Sequence, residues 1–153
     1  MLYLFALVIG IVAGLRAMVA PAAVAWAARL GVLDLHGSWL AFFGYRWTPW
    51  ILSLAALGEI VNDKLPATPS RLVPPQFGAR VVSGALCGAA VGVPAGSWIV
   101  GAILGAIGAV IGTIGGARAR AAMARRFGRD LPAALIEDIV AIIVAAHILR
   151  VFL

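Results

Sequence analysis

An arginine, Arg16, stands inside the apolar run LYLFALVIGIVAGLRAMVAPAAVAWAA that opens this sequence. A run of that length and composition is one that lipid would surround. A charge at such depth is costly unless it finds a partner or water. The pattern recurs along the chain: Glu59 lies in PWILSLAALGEIVND, and Glu137 with Asp138 lies in LPAALIEDIVAIIVAAHIL. Acids and a base within apolar helices point to a helix bundle with a polar centre. The charges alone do not say what that centre does.

At 63% hydrophobic and 12% charged, the composition departs from that of a water-soluble domain, in which about half the residues are apolar and about a quarter charged. A chain of 153 residues has room for about four to six membrane helices of roughly 20 residues each. The fold class expected is an all-α, polytopic membrane domain spanning residues 1–153. The net charge of +6 does not indicate nucleic acid, because the basic residues fall in short loops between apolar segments. That is the ordinary pattern of cytoplasmic loops. One cysteine, Cys87, excludes an intrachain disulfide and a thiolate cage. The N-terminus lacks a basic lead-in and Arg16 interrupts its apolar run, so a cleaved signal peptide is not expected.

Five segments are expected to cross the membrane, near residues 2–28, 49–65, 80–93, 98–118 and 132–152. Gly14, Arg16 and Pro21 mark a break or kink in the first. Residues 29–47 mix aromatic and polar side chains and suit the interface. Thr48-Pro49 reads as a cap and first-turn proline, KLPATPSRLVPPQFGAR as a non-helical connector, and PAGS at residues 94–97 as a tight turn. A four-span arrangement, with the short third segment fused or re-entrant, is the alternative. In the five-span arrangement most arginines share one side and all five tryptophans the other. The positive-inside rule then puts the N-terminus in the cytoplasm and the C-terminus outside, in a bacterial inner membrane.

Gly84, Gly88 and Gly92 recur every fourth residue, as do Gly101 with Gly105 and Gly108 with Gly112. Small residues at this spacing let helices approach closely. They serve either packing within the chain or the seam of a homo-oligomer, a dimer being favoured. VAGLRA and IGGARA, followed by AALGE and AALIE, suggest a weak internal repeat. In a five-span chain it would be inverted, as in many transporters.

The candidate polar centre comprises Arg16, Glu59, Asp63, Arg118, Glu137 and Asp138. Glu59 and Asp63, four apart, share a helix face. Arg16 is expected to bond to Glu59, with Glu137 and Asp138 as alternatives and Arg118 and Arg120 as further cations. His147 and Arg150 suit the outer interface. The basic stretch GARARAAMARRFGR anchors topology or holds anionic headgroups. No GxSxG, HExxH or P-loop pattern occurs. KLPATPSR shares only a lysine-to-arginine spacing with lipid phosphatases. No enzyme activity, cofactor or metal site is expected.

GLRAMVAPAAVAWAA, GEIVNDKLPATPSR, GTIGGARAR and ALIEDIVAI together resemble a bacterial membrane family defined only as a domain of unknown function, number 4126. The resemblance spans nearly the whole chain. It implies a multi-spanning protein and carries no activity or residue roles. Two functions follow from the residues themselves. One is a small transporter or channel for an ion or small polar solute. The other is a non-transporting scaffold whose buried charges are fixed bridges.

Overall fold

The first apolar run is two helices. Residues 1–64, 70 and 72–152 are described by the computed structural model, apart from the side chains of residues 149, 151 and 152. They form α1 (Leu2–Leu15), α2 (Val19–Arg29), a 3₁₀ turn (Ala41–Gly44), α3 (Thr48–Asn62), α4 (Pro74–Gly92), α5 (Trp98–Phe127) and α6 (Asp130–Phe152). The architecture is all-helical, as expected.

Between α1 and α2 the chain turns back on itself. Tyr3 donates its hydroxyl to the Ala95 carbonyl at 3.1 Å, so α1 begins beside the α4–α5 turn. Ile9, midway along α1, lines a small apolar space with Ala27, Leu33, Val91 and Ile148. Had α2 continued along α1, Leu33 would lie roughly 25 Å beyond Leu15 at 1.5 Å per residue. The expected break is therefore a hairpin.

This reversal fixes the direction of every helix. Trp26 meets Trp50 and Trp39 meets Trp98, with ring centroids 5.1 and 5.7 Å apart, at one end of the bundle. Arg120, Asp63 and Asp130 meet at the other. Helices α1, α3 and α5 run from the tryptophan end to the arginine end, and α2, α4 and α6 return. Two expectations are corrected. The start of α1 and the end of α6 share the tryptophan end, whereas five crossings would separate them. The sequence repeat is not an inverted one either. Gly10 and Gly14 of α1 face Gly105, Ala109 and Gly112 in the same order along α5, so these helices are parallel, while α3 and α6 are antiparallel.

Several boundaries move for local reasons. Pro74 and Pro75 occupy the first turn of α4, where a missing N–H leaves no bond unmade. The helix therefore starts at Pro74 and not near residue 80. Thr48 does not cap α3; Trp47 holds the cap position, and the Thr48 hydroxyl donates to the Phe42 carbonyl. Helix α5 runs on to Phe127 and stops at Gly128, whose φ of 68° is open to glycine. The rest of the expected connector, residues 65–69 and Arg71, lies outside the described residues.

Packing follows the glycines. Helix α5 packs against both α1 and α4, which also touch each other. A methyl group added to Gly84, Gly88 or Gly92 would overlap α5 backbone or side chain, and one on Gly101 or Gly105 would overlap α4 backbone. Gly108 and Gly112 press in the same way on Leu7 and Ile11 of α1. All seven expected glycines therefore pack within the chain. Helices α5 and α6 contain stretches long and apolar enough to cross a membrane, and α1 is a shorter apolar helix. Leu54, Leu57 and Val61 of α3, Ile103, Ile107 and Ile111 of α5, and Ile139 and Ile143 of α6 are all exposed. Such an outer surface suits hydrocarbon better than water.

Candidate functional site

Breaking a helix frees backbone groups, and inside an apolar bundle each must find a partner. The α1–α2 tip meets this need with side chains from elsewhere. On the carbonyl side, Arg80 Nη1 donates to Gly14 O at 3.0 Å and Leu15 O at 2.7 Å. Thr113 Oγ1 also donates to Gly14 O, at 3.2 Å. On the amide side, the two carboxylate oxygens of Glu59 accept the N–H groups of Ala17 and Met18, each at 2.8 Å. Ser83 Oγ donates to Ala17 O at 2.5 Å. Arg80 Nη2 then reaches Glu59 Oε1 at 3.4 Å. The signs match the helix ends: the cation sits on the carbonyl end of α1 and the anion on the amide end of α2.

Below the tip lies a connected set of ion pairs. Arg16, extended at the C-cap of α1, is fully buried and lies 2.8 Å from Asp63 Oδ2 and 2.5 Å from Asp138 Oδ1. Its nitrogens are in ion-pair contact, but none meets hydrogen-bond geometry. Lys64 Nζ reaches Asp138 Oδ2 at 2.7 Å and Ile60 O at 3.0 Å. Arg120 pairs with Asp63, holds Asp130 through two bonds of 2.9 and 2.6 Å, and lies 3.7 Å from Glu137. Asp130 is 60% exposed, Arg120 13%, Asp63 15% and Arg16 0%, and beyond Arg16 the values are 7% at Asp138 and 22% at Lys64. Charge thus leads stepwise from the arginine end of the bundle to the buried tip.

The model of a family described as a domain of unknown function (DUF4126) matches residues 3–151. The chain belongs to the DUF4126 family. No curated protein and no solved structure matches it. The matched span contains every residue of the tip and of the ion-pair chain, and the family's description names no activity, so the functional argument rests on this geometry.

Within this DUF4126 chain, five of the expected residues do converge: Arg16, Glu59, Asp63, Glu137 and Asp138. Two expectations are corrected. Arg16 pairs with Asp138, one of the two alternatives, and with Asp63, and not with Glu59, because the Glu59 carboxylate is drawn to the freed amides of the tip. Arg118 is exposed on α5. Arg120, two residues on and roughly 200° around the helix, takes the inward position. Arg80, Lys64, Asp130, Ser83 and Thr113 were not anticipated. Arg80 had a readable signal: with Pro74-Pro75 taken as first-turn prolines, it falls well inside α4 and not in a loop. Ser83 and Thr113 carried none, since the bonds they make depend on the hairpin.

Proposed function

We propose that this chain is a multi-pass protein of the bacterial inner membrane that moves an ion or a small polar solute, using the α1–α2 tip as the inner end of its pathway. The observation that carries this reading is the connected run of charges from exposed Asp130 to fully buried Arg16, ending where two half-helices meet. Ionisable residues at membrane depth commonly line pathways. Discontinuous helices with opposed ends are a recurrent way to build a transport site. On the other side of the tip, Ile9, Val12, Leu40 and Val91 are buried, which supports a path open towards one end only.

The exposed arginines 118, 125, 126 and 129 assign the arginine end to the cytoplasm by the positive-inside rule. Helices α3–α6 then cross the bilayer. Helices α1, α2 and α3, of 14, 11 and 15 residues, rise about 21, 17 and 22 Å, all less than the roughly 30 Å hydrocarbon core. Helix α3 goes on to the arginine end through Asp63 and Lys64, whereas α1 and α2 reverse at the buried tip. They form a hairpin that enters from the tryptophan side. Both termini then face away from the cytoplasm, and reporters fused to either end should read alike. A homodimer belongs to the same proposal. Its seam uses an exposed face, since the glycines are occupied within the chain, and a mass measurement in lipid nanodiscs checks it.

Purified protein in liposomes should pass ions or protons above empty-vesicle leak, and Glu59→Gln should alter that flux. If folded protein passes none of a broad panel of ions and polar solutes, the scaffold reading replaces transport. One observation favours that second reading: the carboxylates of Glu59, Asp63, Asp138 and Asp130 each face a cation, as fixed bridges would.

A further inference from the structure

Two cavities share the 3₁₀ turn Ala41–Gly44 as a common wall. One is a partly open apolar groove of about 520 Å³, lined by Pro21, Phe42, Phe43, Ile51, Leu52 and Leu86. Its deep end touches Met18 and Ser83 beside the hairpin tip. The other is a smaller cavity of about 190 Å³ whose lining includes Arg29, His36 and Tyr45. The acid nearest in sequence, Asp34, accepts the His36 backbone N–H at 2.9 Å. From Ala28 at the polar cavity to Met18 at the groove's deep end, α2 rises about 15 Å. The polar recess thus lies at the tryptophan end of α2, and the carbon-lined groove lies along the same helix towards the hairpin tip.

We infer that this side of the protein binds an anionic phospholipid, with its phosphate beside Arg29 and His36 and one acyl chain in the groove. The charge is complementary at the recess, and the groove offers the tail almost nothing but carbon. Its rim residues Ile51 and Val82 are exposed, as is Trp50 beside them, and all are apolar side chains of the kind that faces lipid. Tryptophan at this end fits the headgroup layer. The bound lipid fills the wedge between α2, α3 and α4, directly behind the tip. The inference rests on the membrane placement proposed above and is independent of transport.

Native mass spectrometry of the full chain in mild detergent tests it, with phosphatidylglycerol and phosphatidylcholine as probes. Wild-type protein should retain phosphatidylglycerol preferentially. Arg29→Ala should weaken that adduct about fivefold, the effect of one basic group near a membrane surface. Arg125→Ala, at the opposite end, should leave it unchanged. Ala79→Trp, which fills the groove from an exposed position, should remove retention of both lipids. Ile51→Trp serves the same purpose if Ala79→Trp fails to melt cooperatively. Equal retention of the two lipids, or an adduct sensitive to Arg125→Ala and not to Arg29→Ala, overturns the inference. Wild-type protein that floats with vesicles but retains neither lipid sinks this site alone. Failure of the protein to float with vesicles sinks the membrane placement beneath it.

Discussion

Between α4 and α5 the chain turns on its own atoms, whereas between α1 and α2 it turns on the atoms of other helices. At the first turn Ala95 and Ser97 donate their N–H groups to Gly92 O, and Gly96 donates to Val93 O, each at 3.1 Å. Ser97 accepts from Val100 N, and Gly96 supplies a φ of 89°. Apart from the Tyr3 hydroxyl, which reaches Ala95 O from α1, these partners lie within a few residues. At the second turn the freed groups are met by Glu59, Arg80, Ser83 and Thr113, which come from three separate helices. The first turn can form as soon as its residues exist. The second can be stable only when the bundle has closed around it. A local turn is a connector; a turn held by distant charges is an element that can be released.

The largest consequence of this difference lies with the arginines. Removing one partner of a buried pair costs about 3–5 kcal/mol in soluble proteins. Arg80→Ala takes a donor from two carbonyls, of which Gly14 O keeps Thr113, and removes the cation beside Glu59. Arg16→Ala removes the cation between Asp63 and Asp138, which keep Arg120 and Lys64. Both should destabilise by about that amount in detergent unfolding, while exposed Arg125→Ala should stay within about 0.5 kcal/mol. Equal losses for all three would show that the tip is not held by these charges.

A second contrast separates glycines that look alike in sequence. Gly105→Leu drives a side chain into the Gly84 carbonyl and Gly88 backbone, whereas Gly115 meets nothing within 4 Å. Overpacking costs about 1–3 kcal/mol, and here the obstacle is backbone, so the upper part of that range is expected. Gly115→Leu should be neutral or slightly stabilising, since leucine favours a helix by most of about 1 kcal/mol over glycine. Similar melting temperatures for the two variants would mean that α4 and α5 are not in close contact.

The same local-against-distant division explains what could be read from the sequence. The PAGS turn, the break near Arg16 and the convergence of Arg16, Glu59, Asp63, Glu137 and Asp138 were legible, because each follows from local turn chemistry or from the cost of a lone charge in an apolar run. The sense of the break was not. A kinked span and a hairpin free the same backbone groups, and only the contacts of Tyr3 and Ile9 distinguish them. The direction of α1 and the relation between the two repeat units both follow from that sense, so neither is readable from the sequence. Arg118 and Arg120 could not be ranked for a related reason: without a known inner face for α5, two arginines two residues apart are equivalent candidates.

Glu59 sharpens the comparison from the acceptor side. Its two oxygens take two neighbouring N–H groups. Glutamine keeps one acceptor and turns an NH₂ group towards the other amide. One buried donor is left unmet, at a cost of about 1–3 kcal/mol. Glu59→Gln should therefore fall between wild type and Arg80→Ala in stability. A loss as large as that of Arg80→Ala would assign the tip's strength to the charge on Glu59 and not to its hydrogen bonds.

The smallest effect is expected at the self-contained turn. Ser97→Ala removes a cap whose bond to Val100 N is long, at 3.4 Å. Losing a serine cap typically costs about 1 kcal/mol, and a long bond argues for less. The N–H it leaves behind is exposed enough for another acceptor or solvent to compensate, and the local bonds that remain in the turn are backbone to backbone. Helix α1 meets this turn through Tyr3, whose bond goes to Ala95 O and not to Ser97. Ser97→Ala should therefore lower the unfolding free energy by less than Glu59→Gln and leave the liposome flux of a folded protein unchanged. If it instead destabilised as strongly as a change at the α1–α2 tip, the turn would not be self-contained, and the distinction between the two reversals would fail.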